Sequence, residues 1–111
     1  MNEIVRLSML LEIYKDLITE KQKNVLNLYY NQDLSLAEIA DEYGISRQAA
    51  RDNIKNGEKN LLDYESKLGL LDKRIRSSNI FDEINLELSK NEANKEVIKK
   101  LNNKLKEIME E

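Results

Sequence analysis

The 111-residue sequence has no cysteine, histidine, proline or tryptophan, and only three glycines: Gly44, Gly57 and Gly69. Without cysteine there are no disulfides and no thiol chemistry. Without histidine as well, the usual zinc site and a histidine general base are excluded. No apolar run approaches the ~18 residues of a membrane-spanning helix, and the start of the chain lacks a basic region followed by an apolar core. A cytoplasmic protein with no membrane span is therefore expected. There is also no phosphate-cradling glycine loop and no nucleophile elbow. The 21 acidic residues guarantee incidental carboxylate pairs, which solvated helix faces explain. No enzymatic activity, cofactor or metal is expected.

What is abundant is charge, at 35% of residues, together with Leu, Lys, Glu and Asn. Long sheets would need more turn formers and β-branched residues, so the composition favours an all-α protein. The length suits one compact domain. The net charge of −3 opposes binding of a polyanion by bulk electrostatics, so any nucleic-acid contact must come from a local basic face.

Apolar spacing and capping signals divide the chain. Ile4, Leu7, Leu11 and Tyr14 recur at helical spacing, and Val5, Met9, Leu10 and Ile13 broaden the stripe into a wide buried face. Thr19-Glu20-Lys21-Gln22 has the form of a capping box, opening a second helix that runs to about Tyr30 and buries Val25, Leu28 and Tyr29. Ser35-Leu36-Ala37-Glu38 is a second capping box, for a helix burying Leu36, Ile39, Ala40 and Tyr43. Gly44 ends that helix, because the residue after a helix commonly takes positive φ. Ile45 plugs the core, and Ser46 caps a fourth helix.

Along the fourth helix Ala50, Ile54, Gly57 and Leu61 share a core side. A glycine inside a helix costs ~1 kcal/mol relative to alanine, which close packing against another helix would explain. Gly69 ends or bends this helix. Beyond it, Leu71, Ile75, Phe81, Ile84 and Leu88 read as helix with an interruption near Ser77-Ser78-Asn79, and Ser89 to Glu92 reads as another helix start. Val97, Ile98, Leu101, Leu105 and Ile108 form a terminal amphipathic stripe. Residues 1–76 are thus read as a helix-turn-helix domain with an N-terminal helix, and 77–111 as a helical extension that serves dimerisation. A homodimer formed by crossing terminal helices is expected.

The chemistry concentrates between Ser35 and Lys59. A short helix, a glycine, one apolar residue, a serine cap and a second helix follow in the order of a helix-turn-helix, whose second helix is offered to a nucleic-acid groove. That helix carries Arg47, Arg51, Lys55 and Lys59 at four-residue steps. Each step advances only ~40° around the axis, so the four share one connected face, with Gln48 in the same arc. Arginine forks match guanine edges or phosphate, and glutamine matches adenine or phosphate. The backbone amides at Ser46 suit a phosphate. Against this, a basic row is usually a solvated face, and Asp52 and Glu58 sit close enough to neutralise part of it.

The segment Leu17 to Leu61, above all LSLAEIADEYGISRQAAR, resembles the helix-turn-helix of sigma-factor region 4. Over residues 4 to 75 the chain also resembles the small bacterial YlxM-like proteins. The match is carried by RLSMLLEIYKDLITEKQ, then NLYYNQDLSLAEIADEYGISRQAARDNIKNGEKNL, then LDYESKLGLL. It departs from the family pattern at Ala50-Arg51, where a larger apolar residue followed by an aromatic is more usual. The resemblance implies a sigma-region-4-like, all-α helix-turn-helix bundle with additional C-terminal helices. It further implies, through gene neighbourhood, a link to the signal recognition particle GTPase.

Two functions are therefore expected. In the first, the chain is a nucleic-acid-binding regulatory or accessory protein whose partner is DNA or signal recognition particle RNA. Arg47, Gln48 and Arg51 enter the groove, and Ser46, Lys55 and Lys59 hold phosphate. In the second, it is a protein-interaction module binding signal recognition particle components, including the GTPase, without sequence-specific DNA binding.

Overall fold

The computed structural model describes all residues from Met1 to Glu111 as six α-helices and one 3₁₀ turn, with no strand. In chain order the helices are α1 (Glu3–Tyr14), α2 (Glu20–Tyr30), α3 (Leu36–Tyr43), α4 (Arg47–Leu68), α5 (Leu70–Leu88) and α6 (Lys95–Met109). The 3₁₀ turn, Lys15–Leu17, follows α1. The chain divides into two compact units, Met1–Gly69 and Leu70–Glu111. The division expected at 76/77 falls inside α5.

In the first unit α4 is the spine, with α1, α2 and α3 packed on it. Caps set the boundaries. The Thr19 and Ser35 side chains each accept from the third amide of the following helix, while Gln22 and Glu38 reach back to the cap amide. Gly44 takes φ 62°, and its amide bonds the carbonyls of Ala40 and Asp41. The Ile45 amide bonds Ala40 O at 3.0 Å. These bonds satisfy the carbonyls of Ala40 and Asp41 in the last turn of α3 and set its exit direction.

The core comprises Leu7, Leu10, Leu11, Tyr14, Val25, Leu26, Ile39, Ala40, Ala50, Ile54 and Leu61. The wide buried face expected for α1 is narrower. Val5 and Met9 are exposed because they lie opposite Leu7 and Leu11 around the helix, and Ile4 is exposed at its first turn. On α2 the buried pair is Val25 and Leu26, whereas Leu28 is half-buried and Tyr29 exposed. Leu26 gains its place because α4 presents Gly57 there. A Cβ on that glycine would lie 2.8 Å from Leu26 Cδ1. Leu36, Tyr43 and Ile45 are half-buried. The buried Tyr14 hydroxyl donates to Glu65 Oε1 at 2.7 Å, and its ring stacks on Tyr64 at 5.9 Å, tying α1 to α4.

The second unit is an antiparallel hairpin of α5 and α6. Arg76, near the start of α5, pairs with Glu111 at the far end, with Nη1 to Oε2 at 2.6 Å. At the other end Glu87 accepts from the Asn94 amide at 2.9 Å and from Lys90 Nζ at 2.8 Å. The helix does not break at Ser77-Ser78-Asn79. Their individually modest helix cost, ~0.5 kcal/mol each, is outweighed by packing of the flanking positions on α6. Nor does a helix begin at Ser89. Its hydroxyl instead donates back to Leu86 O at 2.6 Å. The cap of α6 is Asn94, which accepts from the amides of Glu96 and Val97. The terminal stripe faces α5: Leu101 and Ile108 are buried, and Ile98 and Leu105 half-buried.

Candidate nucleic-acid interface

Ser46 caps α4, its hydroxyl oxygen accepting from the Ala49 amide at 3.0 Å. The amides of Arg47 and Gln48 therefore stand at the open, partially positive end of a 22-residue helix. Ala50, Ile54, Gly57 and Leu61 anchor its inner side, as the spacing implied. That anchoring turns Ser46, Arg47, Gln48, Arg51, Lys55 and Lys59 outward, and all six are exposed. At ~1.5 Å rise per residue the basic row runs ~18 Å along the helix.

The two acidic neighbours are hydrogen-bonded to uncharged side chains. None of the four cations of the row takes part in an ion pair within the chain. Asp52 accepts from Gln48 Nε2 at 2.9 Å. Glu58 accepts a short hydrogen bond from the Tyr30 hydroxyl on α2. Burial, then that bond to a carboxylate, pushes the Tyr30 phenol far above its ordinary value. Tyr30 thus stays a donor to Glu58 at neutral pH, and one carboxylate oxygen of Glu58 is tied to α2.

One flank of the row is concave. Tyr29 from α2, Leu36 from α3, and Arg51, Ile54, Lys55 and Glu58 from α4 line a cavity of about 300 Å³. Tyr29, expected in the core, is exposed, and the Tyr30–Glu58 bond joins residues that no local signal pairs. The signal available for Tyr29 was the Tyr29-Tyr30 pair itself. Neighbours on a helix point ~100° apart, so the two rings cannot share one narrow core stripe. No cluster of acidic side chains is placed to hold a metal ion, and no helix is long and apolar enough to cross a membrane.

A capped short helix, a left-handed glycine and a serine-capped second helix with an outward basic row form a helix-turn-helix. The sequence over residues 1–107 matches a family described as "Putative helix-turn-helix protein, YlxM / p13 like". The chain belongs to this family, UPF0122. Among its relatives, a UPF0122 protein of Clostridium kluyveri (strain ATCC 8527) is 58% identical over 74 residues, covering 67% of each chain. Another, from Streptococcus pneumoniae (strain Hungary19A-6), is 54% identical over 79 residues, 71% of this chain and 72% of its own. The UPF0122 match runs past Arg76 into the α5–α6 hairpin, beyond the residue 75 at which the sequence resemblance had stopped.

Proposed function

We propose that this chain is a nucleic-acid-binding regulatory or accessory protein of the signal recognition particle pathway, with α4 as its contact element. The observation that carries the reading is the row Arg47, Arg51, Lys55 and Lys59, exposed and without an internal ion pair, on the second helix of a helix-turn-helix. Arg47, Gln48 and Arg51 face base edges, and Ser46, Lys55 and Lys59 face phosphate. The YlxM-like resemblance supports the pathway, and with it signal recognition particle RNA beside DNA as a partner.

The test is a titration of duplex DNA and of structured RNA at two salt concentrations. Wild type binds at low salt, and binding weakens steeply as salt rises because phosphate contacts release counterions. Arg47→Glu with Arg51→Glu abolishes the binding. No binding at low salt, or binding indifferent to that double substitution, sinks the reading.

The apolar surface of the hairpin leaves room for a second reading, a module that binds the particle's protein components there. Phe81, Ile84 and Leu88 follow at three- and four-residue steps along α5. Phe81 and Leu88 are 53% and 57% exposed. Two helices alone bury little core. A second copy of the hairpin, completing a four-helix bundle, is the occupant we favour, since a homodimer would also present paired reading helices. Sedimentation separates the cases: a monomer at micromolar concentration that recovers the GTPase in a pull-down supports the second reading and removes the dimer.

A further inference from the structure

The cavity beside the basic row has a composition that neither a solvated helix face nor a core crevice requires. Tyr29 forms one of its walls, 36% exposed, with its ring tilted 60° against Tyr30 and its hydroxyl making no hydrogen bond within the chain. Leu36 and Ile54 supply apolar lining, and Arg51 and Lys55 bring two cations of the contact row to the same cavity. Glu58 lines it as well. One of its oxygens is engaged by the Tyr30 hydroxyl, leaving the other free to accept.

We propose that this notch receives a single unstacked nucleobase, stacked on Tyr29, with its flanking phosphates held by Arg51 and Lys55. The inference rests on the nucleic-acid-binding reading of α4 and deepens it. Each part of the chemistry has a partner. A base offers a flat π-face that an aromatic ring matches whatever its identity. Its amino or imino N–H offers a donor to the free Glu58 oxygen. Its two phosphates offer charge to cations that make no ion pair within the chain. The volume, about 300 Å³, lies at the small end of ligand sites, which suits one base rather than a peptide segment. A base in a continuous helical stack cannot enter, so the notch favours nucleic acid with an unpaired residue. Such a residue occurs in a bulge, a loop or a single strand, and either ribose or deoxyribose chemistry can supply it.

The experiment compares three probes, each made as DNA and as RNA: a fully paired duplex, the same duplex with one bulged 2-aminopurine, and a single strand. Wild type binds the bulged probe roughly fivefold or more tighter than the paired one, the lower end of what base stacking on an aromatic supplies. The 2-aminopurine fluorescence is quenched on binding. Tyr29→Ala and Tyr29→Ile each lose the preference and the quenching, Tyr29→Phe keeps both, and circular dichroism melts confirm that the variants are folded. Tyr29→Ile keeps the bulk of the side chain, so it carries the test if Tyr29→Ala does not fold.

A preference confined to the RNA or the DNA probe names the source, and one seen in both assigns the shared chemistry. Equal affinity for paired and bulged probes overturns the site, as does a preference that survives in Tyr29→Ile. Duplex binding that depends on Arg47 and Arg51 but ignores Tyr29 overturns the notch while leaving the function standing. No binding to any probe removes both.

Discussion

Gly57 of α4 lies against Leu26 of α2 so closely that a methyl group on the glycine would stand 2.8 Å from Leu26 Cδ1 and 3.2 Å from its Cγ. Leu26 is completely buried and cannot swing aside into solvent. Gly57→Ala gains ~1 kcal/mol of helix propensity but incurs an overpacking cost of roughly 1–3 kcal/mol. The expected net result is a destabilisation of about 1 kcal/mol. Leu26→Ala alone costs roughly 2–5 kcal/mol. The double variant is less destabilised than the sum, because the new methyl partly fills the space that Leu26 leaves. Urea denaturation of the four proteins measures this coupling, and strict additivity would show that the contact carries no energy.

Ser46 has two roles that substitution can separate. Ser46→Ala removes the α4 cap and lowers stability by about 1 kcal/mol. Ser46→Asp keeps a good cap but places a carboxylate where the proposed interface meets phosphate. Its melting temperature stays close to wild type, while its affinity for nucleic acid falls. Thermal melts and binding titrations on the same samples check both halves.

Asp52 is the one acidic side chain on the outer face of the reading helix between Arg47 and Lys59 that no other helix engages. Asp52→Asn preserves an acceptor for Gln48 Nε2 and removes the charge. Affinity for duplex probes should rise roughly two- to fivefold at low salt, the scale of an exposed charge interaction, with a smaller gain at high salt. Lower affinity together with an altered base preference would instead make Asp52 a direct reader of base edges.

The Tyr30 hydroxyl engages one oxygen of Glu58, which makes no ion pair with the row. In Tyr30→Phe that carboxylate is released towards Lys55, one turn away, and nucleic-acid affinity is expected to fall roughly two- to threefold. Adding Glu58→Gln restores it. A fall that Glu58→Gln does not repair would mean that Tyr30 acts through packing alone.

The hairpin holds two carboxylates that fold in their charged form. The Lys90 ammonium and then the Asn94 amide hold the Glu87 carboxyl below its usual range, and the Arg76 guanidinium does the same for Glu111. A folded-state value below the unfolded one stabilises above the unfolded pKa, and the gain is lost as pH falls through the usual carboxylate range towards the folded value. Wild type should therefore lose stability between about pH 5 and pH 3. Glu87→Gln, less stable at neutral pH, should lose less over that interval. Parallel pH profiles for the two proteins would contradict the assignment.

Local rules made much of the first unit legible. The caps Thr19, Ser35 and Ser46, the left-handed Gly44 and the outward basic row depend on contacts within a few residues, and sequence order specifies those directly. The reading was poorer where an outcome depended on a distant neighbour. Serines and an asparagine at 77–79 and a serine at 89 carry the same local signals as true boundaries, yet α6 packing carries the helix through the first group. The hairpin loop moves the next cap to Asn94. Tyr29 lies on the same side of α2 as Val25 and Leu26, yet it is exposed: Leu26, a turn earlier, meets Gly57 of α4, whereas beside Tyr29 the residues of α3 and α4 leave a cavity.

By itself, then, the sequence determined the helix-turn-helix and which cations share a face, since both follow from periodicity and capping chemistry. Only the tertiary structure decided that Glu58 accepts from Tyr30, that Gly57 admits Leu26, and that Tyr29, Arg51 and Lys55 border one cavity. Those relations join α2 to α4 across space, and helical periodicity carries no information about which side chain a neighbouring helix will present.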